Sequence, residues 1–182
     1  MKRCKWCNEK NKTYIDYHDN EWGVLNLDEQ YLYEMLILES FQAGLSWECV
    51  LNKREGFCAA FDNFDYKKIA NYDDKKLSEL YLDSGIIKNK LKISAAKTNA
   101  AVYIDLLDKY GSFENYLRQF WDGEIIYDNK STTSHLSDKL SADLKKRGMK
   151  FFGSTIAHSF LQAIGVVYSH DDNCFLFKEK RD

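Results

Sequence analysis

The sequence predicts an all-α fold in a single domain spanning residues 1–182. Three observations carry this reading. Apolar residues recur at helical spacing along most of the chain, the apolar stretches open at Asp or Ser and close at Gly, and strict alternation over a strand's length is hard to find. No repeat, low-complexity stretch or shift in composition marks a linker, and there is no proline anywhere in the 182 residues.

Taken in order, Asp28 can cap a helix carrying Leu32, Met35, Leu36 and Leu38 that ends near Gly44. Ser46 can cap a second, running through Val50 and Leu51 toward Gly56. Asp73 or Asp74 starts a third, with Leu77, Leu80 and Tyr81 on one face and Gly85 as its stop. A long fourth fits Lys88 to Lys109, with Leu91, Ala95, Val102 and Leu106 inside and Gly111 at its end. Ser112 can cap a helix through Tyr116, Leu117 and Phe120, and Ser137 one through Leu140 and Leu144 that closes at Gly148. Ser154 or Thr155 opens the last, whose stripe is Ile156, Phe160, Ala163, Ile164 and Val167. Segments 1–27 and 168–182 are left as loose ends.

Composition bounds the class. With 45% hydrophobic and 30% charged residues the chain is neither disordered nor membrane-embedded, and no apolar run approaches the ~20 residues a bilayer requires. Met1 to Trp6 lacks the apolar core of a secretory signal, and the five cysteines are an odd number, so a reducing cytoplasm and a monomer are the expectation. The net charge of −2 hides a pattern: Gly85–Ile104 and Leu144–His170 contain no acid. The first stretch holds Lys88, Lys90, Lys92 and Lys97, the second Lys145, Lys146, Arg147 and Lys150, and together they can make a one-sided positive surface.

The unusual residues lie at the ends. His170 and Cys174 are spaced so that both side chains can reach one ion, and the N-terminal segment offers Cys4, Cys7 and His18. A closed tetrahedral zinc site needs four N or S donors, and two sets satisfy it: Cys4, Cys7, His170 and Cys174, or the same set with His18 in place of Cys7. The glycine turn at Gly85, followed by a lysine-rich helix start, suits a phosphate, and Gly153-Ser154-Thr155 is a second such start. Trp6, Tyr14, Tyr17, Trp22 and Trp47 gather near Glu39, itself set in an apolar helix face. The polar character of Tyr14–Gly23 fits a lined cavity better than a core, and rings beside a carboxylate suit a planar cationic ligand.

Four segments now carry a resemblance: Tyr17-His18-Asp19-Asn20-Glu21-Trp22-Gly23-Val24, Leu38-Glu39-Ser40-Phe41-Gln42-Ala43-Gly44-Leu45-Ser46-Trp47, Gly85-Ile86-Ile87-Lys88-Asn89-Lys90 and Leu144-Lys145-Lys146-Arg147-Gly148-Met149-Lys150-Phe151. In order and spacing the chain closely resembles the 3-methyladenine DNA glycosylase I family of the helix-hairpin-helix superfamily. The resemblance implies one structural zinc per chain on Cys4, His18, His170 and Cys174, leaving Cys7 free. It implies that Glu39 contacts a flipped base, that Tyr14, Tyr17 and Trp47 line its pocket, and that Trp6 and Trp22 support it. Gly44, Leu45 and Ser46 match the element that fills the gap in the duplex, with Leu45 as wedge. Gly85, Ile86, Ile87, Lys88 and Lys90 match the hairpin that grips DNA phosphates, and Ser154 is expected at the second phosphate site. Four features depart from the family pattern: His158 in place of a tyrosine, the Val167–His170 ending of the last helix, a Ser131–Ser137 stretch without proline, and Ile87 in place of a second hairpin glycine.

The activity so implied is excision of 3-methyladenine from alkylated double-stranded DNA by hydrolysis of the N-glycosidic bond. The acid-free stretch after the hairpin, with no lysine nucleophile evident, implies a glycosylase without a lyase step. Two rivals are a non-catalytic damage-binding module and a zinc hydrolase; four protein ligands argue against the second, because catalytic zinc keeps a position for water.

Overall fold

The structure, a computed structural model, describes residues 1–178; the last residues of the predicted C-terminal loose end, 179–182, lie outside it. Among the described residues the chain forms ten α-helices and one short pair of strands. Helix α2 (Glu29–Gln42) is the axis around which the others pack. Asp28 caps it as expected, accepting from the N–H groups of Gln30 and Tyr31 at 3.0 and 3.1 Å. It shows no strong amphipathic stripe because Leu32, Tyr33, Met35, Leu36, Ile37, Leu38 and Phe41 are buried all round it.

The N-terminal end is not loose. Asn11 caps α1 (Lys12–Asn20), whose buried face is Tyr14, Tyr17 and His18. The single helix predicted after Ser46 is two: α3 (Trp47–Leu51), capped by Ser46, and α4 (Arg54–Ala60). A left-handed turn over Asp62, Asn63 and Phe64 (φ 51, 55 and 55°) then leads to α5 (Tyr66–Ala70), which the apolar pattern does not reveal. Asp65 caps α5, and Asp73 caps α6 (Asp74–Leu82).

The long helix, α7 (Lys90–Tyr110), begins after an Asn89 cap rather than at Lys88, and Gly111 ends it at φ +83°. α8 (Phe113–Leu117) follows its Ser112 cap. In α9 (His135–Lys146) the cap is Ser134, not Ser137; Ser137 is the third helical residue and returns the bond in a capping box. α10 (Ser154–Ala163) starts where predicted but stops at Ala163, so Val167 lies outside it.

Val167 belongs instead to the one departure from an all-helical chain. β1 (Ile126–Tyr127) and β2 (Val167–Tyr168) pair in parallel, Ile126 opposite Val167 and Tyr127 opposite Tyr168. Two-residue strands are too short to show alternation. The C-terminal segment then runs back to the N-terminus, where the Phe175 N–H donates to the Lys2 carbonyl at 2.9 Å. No described helix is long and apolar enough to cross a membrane.

Two glycines, Gly56 of α4 and Gly85 of the loop itself, set the position of segment 83–89 between α6 and α7. A Cβ built on Gly56 of α4 would fall 2.3 Å from the carbonyl oxygen of Gly85, so α4 packs flush against this turn only because position 56 has no side chain. Gly56→Ala is expected to push the two backbones apart and lower stability by about 1–3 kcal/mol, the usual range for overpacking, read as a drop in urea midpoint at unchanged slope.

Candidate functional site

Glu39 lies on α2 with 3% of its surface exposed, and its Oε2 has no hydrogen-bond partner. Burial alone pushes its pKa well above the ordinary carboxyl value. Gln42, at i+3 on the same helix face, has an equally orphaned Oε1, and Trp47 at the start of α3 has an orphaned indole Nε1. All three residues line one cavity of about 360 Å³. Tyr14, Tyr17, Trp6 and Trp22 form its aromatic wall, with Trp6 and Trp22 ring centroids 4.8 Å apart and Tyr17 and Trp47 5.4 Å apart. The structure thus brings together all six residues predicted to contact or surround a base.

The opposite wall was not foreseen. It consists of Asn129 and Ser131 after β1, Ser159 and Gln162 on α10, and Ser169 and Asp171 after β2. Gln162 donates to Ser169 at 2.8 Å, Ser169 to the Asp128 carbonyl at 2.5 Å, and Asn129 to the His170 carbonyl at 3.0 Å. The i,i+3 spacing of Ser159 and Gln162 was a signal available in the sequence, whereas the loop residues gave none. His158, one of the four departures from the family pattern, is buried on α10 outside the cavity lining, and burial lowers its pKa.

Behind the aromatic wall, Cys4, His18, His170 and Cys174 form a buried cluster whose donor atoms all lie within 4.8 Å of one another. The Cys4 Sγ to His170 Nδ1, Cys174 Sγ to His170 Nδ1 and Cys174 Sγ to His18 Nε2 separations are 3.4, 3.6 and 3.5 Å. Ordinary metal–sulfur and metal–nitrogen bonds at tetrahedral angles place such donors about 3.5 Å apart, so this N₂S₂ set fits one metal ion. The supporting contacts suit ligation as well. Asp19 holds His18 Nδ1 at 2.7 Å and is itself gripped by Arg3, and the Asp171 N–H points at Cys4 Sγ from 3.2 Å. Burial pushes the Cys4 thiol up to about 12 and pulls His170 down to about 4. The protein alone therefore favours the uncharged forms of Cys4 and His170, a preference that a dication reverses at the Cys4 sulfur. Cys7 is outside the set, directed at the Tyr14 carbonyl from 3.8 Å, which decides between the two ligand sets open from spacing.

The residues expected to meet DNA divide into exposed and committed groups. Gln42, Ala43, Gly44 and Leu45 form a type II turn: Ala43 has φ −45° and ψ 111°, Gly44 has φ +81°, and the Leu45 N–H donates to the Gln42 carbonyl at 2.6 Å. This turn presents Gly44, Leu45 and Ser46 to solvent. Lys88 and Lys90 are exposed on segment 83–89 and the start of α7, while Ile86 is anchored in the core and Ile87 is half-buried. Gly85 donates its N–H to Asp83 at 2.7 Å. Two lysines of the first basic island face inward, Lys92 to the end of α2 and Lys97 to the Tyr72 carbonyl at 2.6 Å. Lys145, Lys146 and Lys150 of the second island are exposed, and Arg147 pairs with Asp143 at 2.6 Å. The Ser154 hydroxyl is engaged by Ser137 at 3.0 Å and by Asp138, leaving its backbone N–H at the α10 start.

The family model for methyladenine glycosylase matches residues 6–177. The chain is 42% identical over 181 residues to DNA-3-methyladenine glycosylase 1 of Escherichia coli (strain K12), with 96% of each chain covered. A crystal structure of 3-methyladenine DNA glycosylase I superposes with a TM-score of 0.92 at 40% identity, covering 97% of this chain and 100% of that one. A structure concerned with 3-methyladenine recognition by the Staphylococcus aureus 3-methyladenine DNA glycosylase I superposes with a TM-score of 0.90 at 31% identity, covering 96% of each.

The raised pKa of Glu39 has a stability consequence with a definite sign. Below the ordinary glutamate value of about 4.3 the group is protonated in both folded and unfolded chains. As pH rises past that value only the unfolded chain ionises, so folding stability falls until the raised native pKa is reached. Glu39→Gln removes this loss. Its melting temperature is expected to match the parent near about pH 4 and to exceed it increasingly toward about pH 8; a difference independent of pH would contradict the burial assigned to the carboxyl.

Proposed function

The chain belongs to the methyladenine glycosylase family, and on that premise we propose that it excises 3-methyladenine from alkylated double-stranded DNA. The reaction is hydrolysis of an N-glycosyl bond. One observation carries the reading: two acceptor groups and one N–H donor, on Glu39, Gln42 and Trp47, are buried without partners in a single aromatic-walled cavity. Unanswered polar atoms of this kind cost about 1–3 kcal/mol each. A planar heterocycle with amino and ring-nitrogen edges answers them.

Methylation at N3 makes the nucleobase cationic and weakens its bond to the sugar, so little acid assistance is required of the protein. The work lies in extrusion and selection. Flipping the nucleotide costs a few kcal/mol, less for a damaged base. Stacking contributes ~1–3 kcal/mol per base, and Tyr14, Tyr17 and Trp47 supply the rings. Glu39 is held neutral by burial, and an approaching cationic base draws it toward ionisation; it recognises the adenine edge and balances charge rather than attacking the sugar. Hydrolysis proceeds without a lyase step on this reading, and among the described residues no lysine lines the cavity. Leu45 acts as wedge, and segment 83–89 with Lys88 and Lys90, joined by the α10 start at Ser154, holds the phosphates. The enzyme works as a monomer in the cytoplasm.

The donor set Cys4, His18, His170 and Cys174 is assigned to one structural zinc. Zinc supplies no step of the reaction; four protein ligands leave no position for water, and its role is to join the chain ends behind Trp6 and Trp22. Metal analysis is expected to return one zinc per chain. Cys174→Ala should lose the ion and melt at much lower temperature, in keeping with apparent binding energies of ~10–16 kcal/mol for structural sites. A folded, metal-bearing but inactive Cys174 variant would contradict a structural role.

Chromatography of bases released from methylated duplex DNA tests the activity. Release of 3-methyladenine with 7-methylguanine left in place is expected, and Glu39→Gln should slow release roughly 100-fold or more, the scale of losing a preorganised electrostatic contact. No release by folded, zinc-loaded protein would overturn the assignment.

A further inference from the structure

Helix α2 delivers two things to the site, Glu39 within its last turns and the Leu45 turn at its end. A helix end leaves its final carbonyls without partners and carries partial negative charge, and a cation nearby is the usual remedy. The last turn of α2 contains no basic residue. Lys92, the third residue of α7, supplies the cation from another helix. Its side chain is 5% exposed, and its ammonium donates to the carbonyls of Phe41 at 2.7 Å and Ala43 at 2.5 Å.

Those two carbonyls flank Gln42 and lead straight into the type II turn. Gly44 has nothing within 4 Å of where a Cβ would stand, so neighbouring side chains do not brace the turn at its tip. Its hold comes from beneath, through Lys92. The same lysine is fixed at its backbone, where its N–H is capped by Asn89 at 3.1 Å, directly between the exposed Lys88 and Lys90. On its outer side the ammonium lies 5.7 Å from the ring centroid of Phe151, an exposed aromatic in the left-handed region at φ +54°. The turn that carries Phe151 is itself clamped, because the buried Asn99 amide bonds both the N–H and the carbonyl of Lys150, at 2.8 and 3.0 Å.

We propose that Lys92 is a positioning residue for base extrusion: it couples the phosphate-holding segment before α7 to the Leu45 turn, so that grip on the backbone sets the wedge. This rests on the glycosylase reading above. Lys92 is not among the cavity's lining residues. Its effect therefore belongs to opening the duplex and not to the chemistry at an already accessible base. A lysine that merely stabilised the end of α2 would affect both equally.

The test compares single-turnover release of 3-methyladenine from methylated poly(dA), either single-stranded or annealed to poly(dT). Lys92→Met is expected to slow release from the duplex by about 10-fold or more, equivalent to about 1.4 kcal/mol, with little change on the single strand. Lys92→Arg should restore most of the duplex rate. Leu45→Ala should show the same duplex-only loss, and the Lys92→Met/Leu45→Ala double variant should be no slower than Leu45→Ala alone. Equal losses on both substrates, or losses that multiply in the double variant, overturn the proposal. If Lys92→Met fails to fold, Lys92→Gln, which keeps a donor for one carbonyl, carries the same comparison. Wild-type protein that releases no base from either substrate would overturn the glycosylase reading, and this proposal with it; an active wild type with uniform losses overturns only the role of Lys92.

Discussion

A carboxyl group within the last turns of a core helix, unpartnered at Oε2, is the constraint around which this molecule is arranged. Left to itself, such a group would be removed from water at a cost of some kcal/mol, or the helix would shift to expose it. The cost is borne and the helix does not shift, because α2 is held on every side by packing that does not involve Glu39. Tyr33 is stacked edge-on against Tyr103 at 4.7 Å, Phe41 against Phe57 at 4.7 Å, and the Tyr103 hydroxyl and the Phe113 N–H both bond the Glu29 carboxylate at the helix start. The apolar core thus fixes a polar atom in a position that no other protein group satisfies. On the proposed function, the stability given up at this residue lets a ligand edge meet a group already in place.

The cavity around that carboxyl has walls from both ends of the chain, so it cannot exist until the ends meet. α1 divides its buried face between two tasks: Tyr14 and Tyr17 line the cavity, and His18 turns to the Cys/His cluster. Trp22 does both at once, with its ring 4.7 Å from His170 and its carbonyl 3.3 Å from His170 Nε2. Arg54 adds a further tie, bonding Glu21 beside Trp22 and Glu34 on α2, each at 2.7 Å. A perturbation at the cluster is therefore transmitted to the cavity through side chains that belong to both.

What the sequence discloses follows from how far each cause reaches along the chain. Caps are local, so Asp28, Ser46, Asp73 and Ser112 begin helices as their chemistry dictates. The helix at 12–20 is hidden because its buried residues are Tyr and His, which do not register as an apolar stripe, and α5 is hidden because five residues barely make one period. The Asp62–Phe64 turn uses left-handed backbone without glycine and so lacks the usual marker. The aromatic half of the cavity is concentrated before residue 48 and is visible as a cluster, whereas its polar half is assembled from Ser, Asn and Gln at loop and helix positions scattered over 129–171. Burial is the least visible property: Lys92 and Lys88 look alike in sequence, yet one is an internal tie and the other an exposed cation.

That last distinction bears on how selectivity is divided. Counting Lys92, Lys97 and Arg147 as free surface charge would suggest a protein held strongly to any DNA, but Lys92 and Lys97 are committed to backbone carbonyls and Arg147 is paired with Asp143. The remaining exposed lysines provide a modest, salt-dependent attraction to phosphate that is blind to base identity. Weak general attraction cannot extrude a well-stacked base, since it contributes equally whether the base is in or out. Extrusion requires interactions that exist only in the flipped state: rings to receive the base, a side chain to occupy its vacancy, and a carboxyl whose burial is relieved by a cationic partner. A neutral adenine offers Glu39 no positive charge and gains less from the same rings. On the proposed function, discrimination resides in the cavity and the Leu45 turn, and the limited surface charge leaves the energy of flipping to be met there.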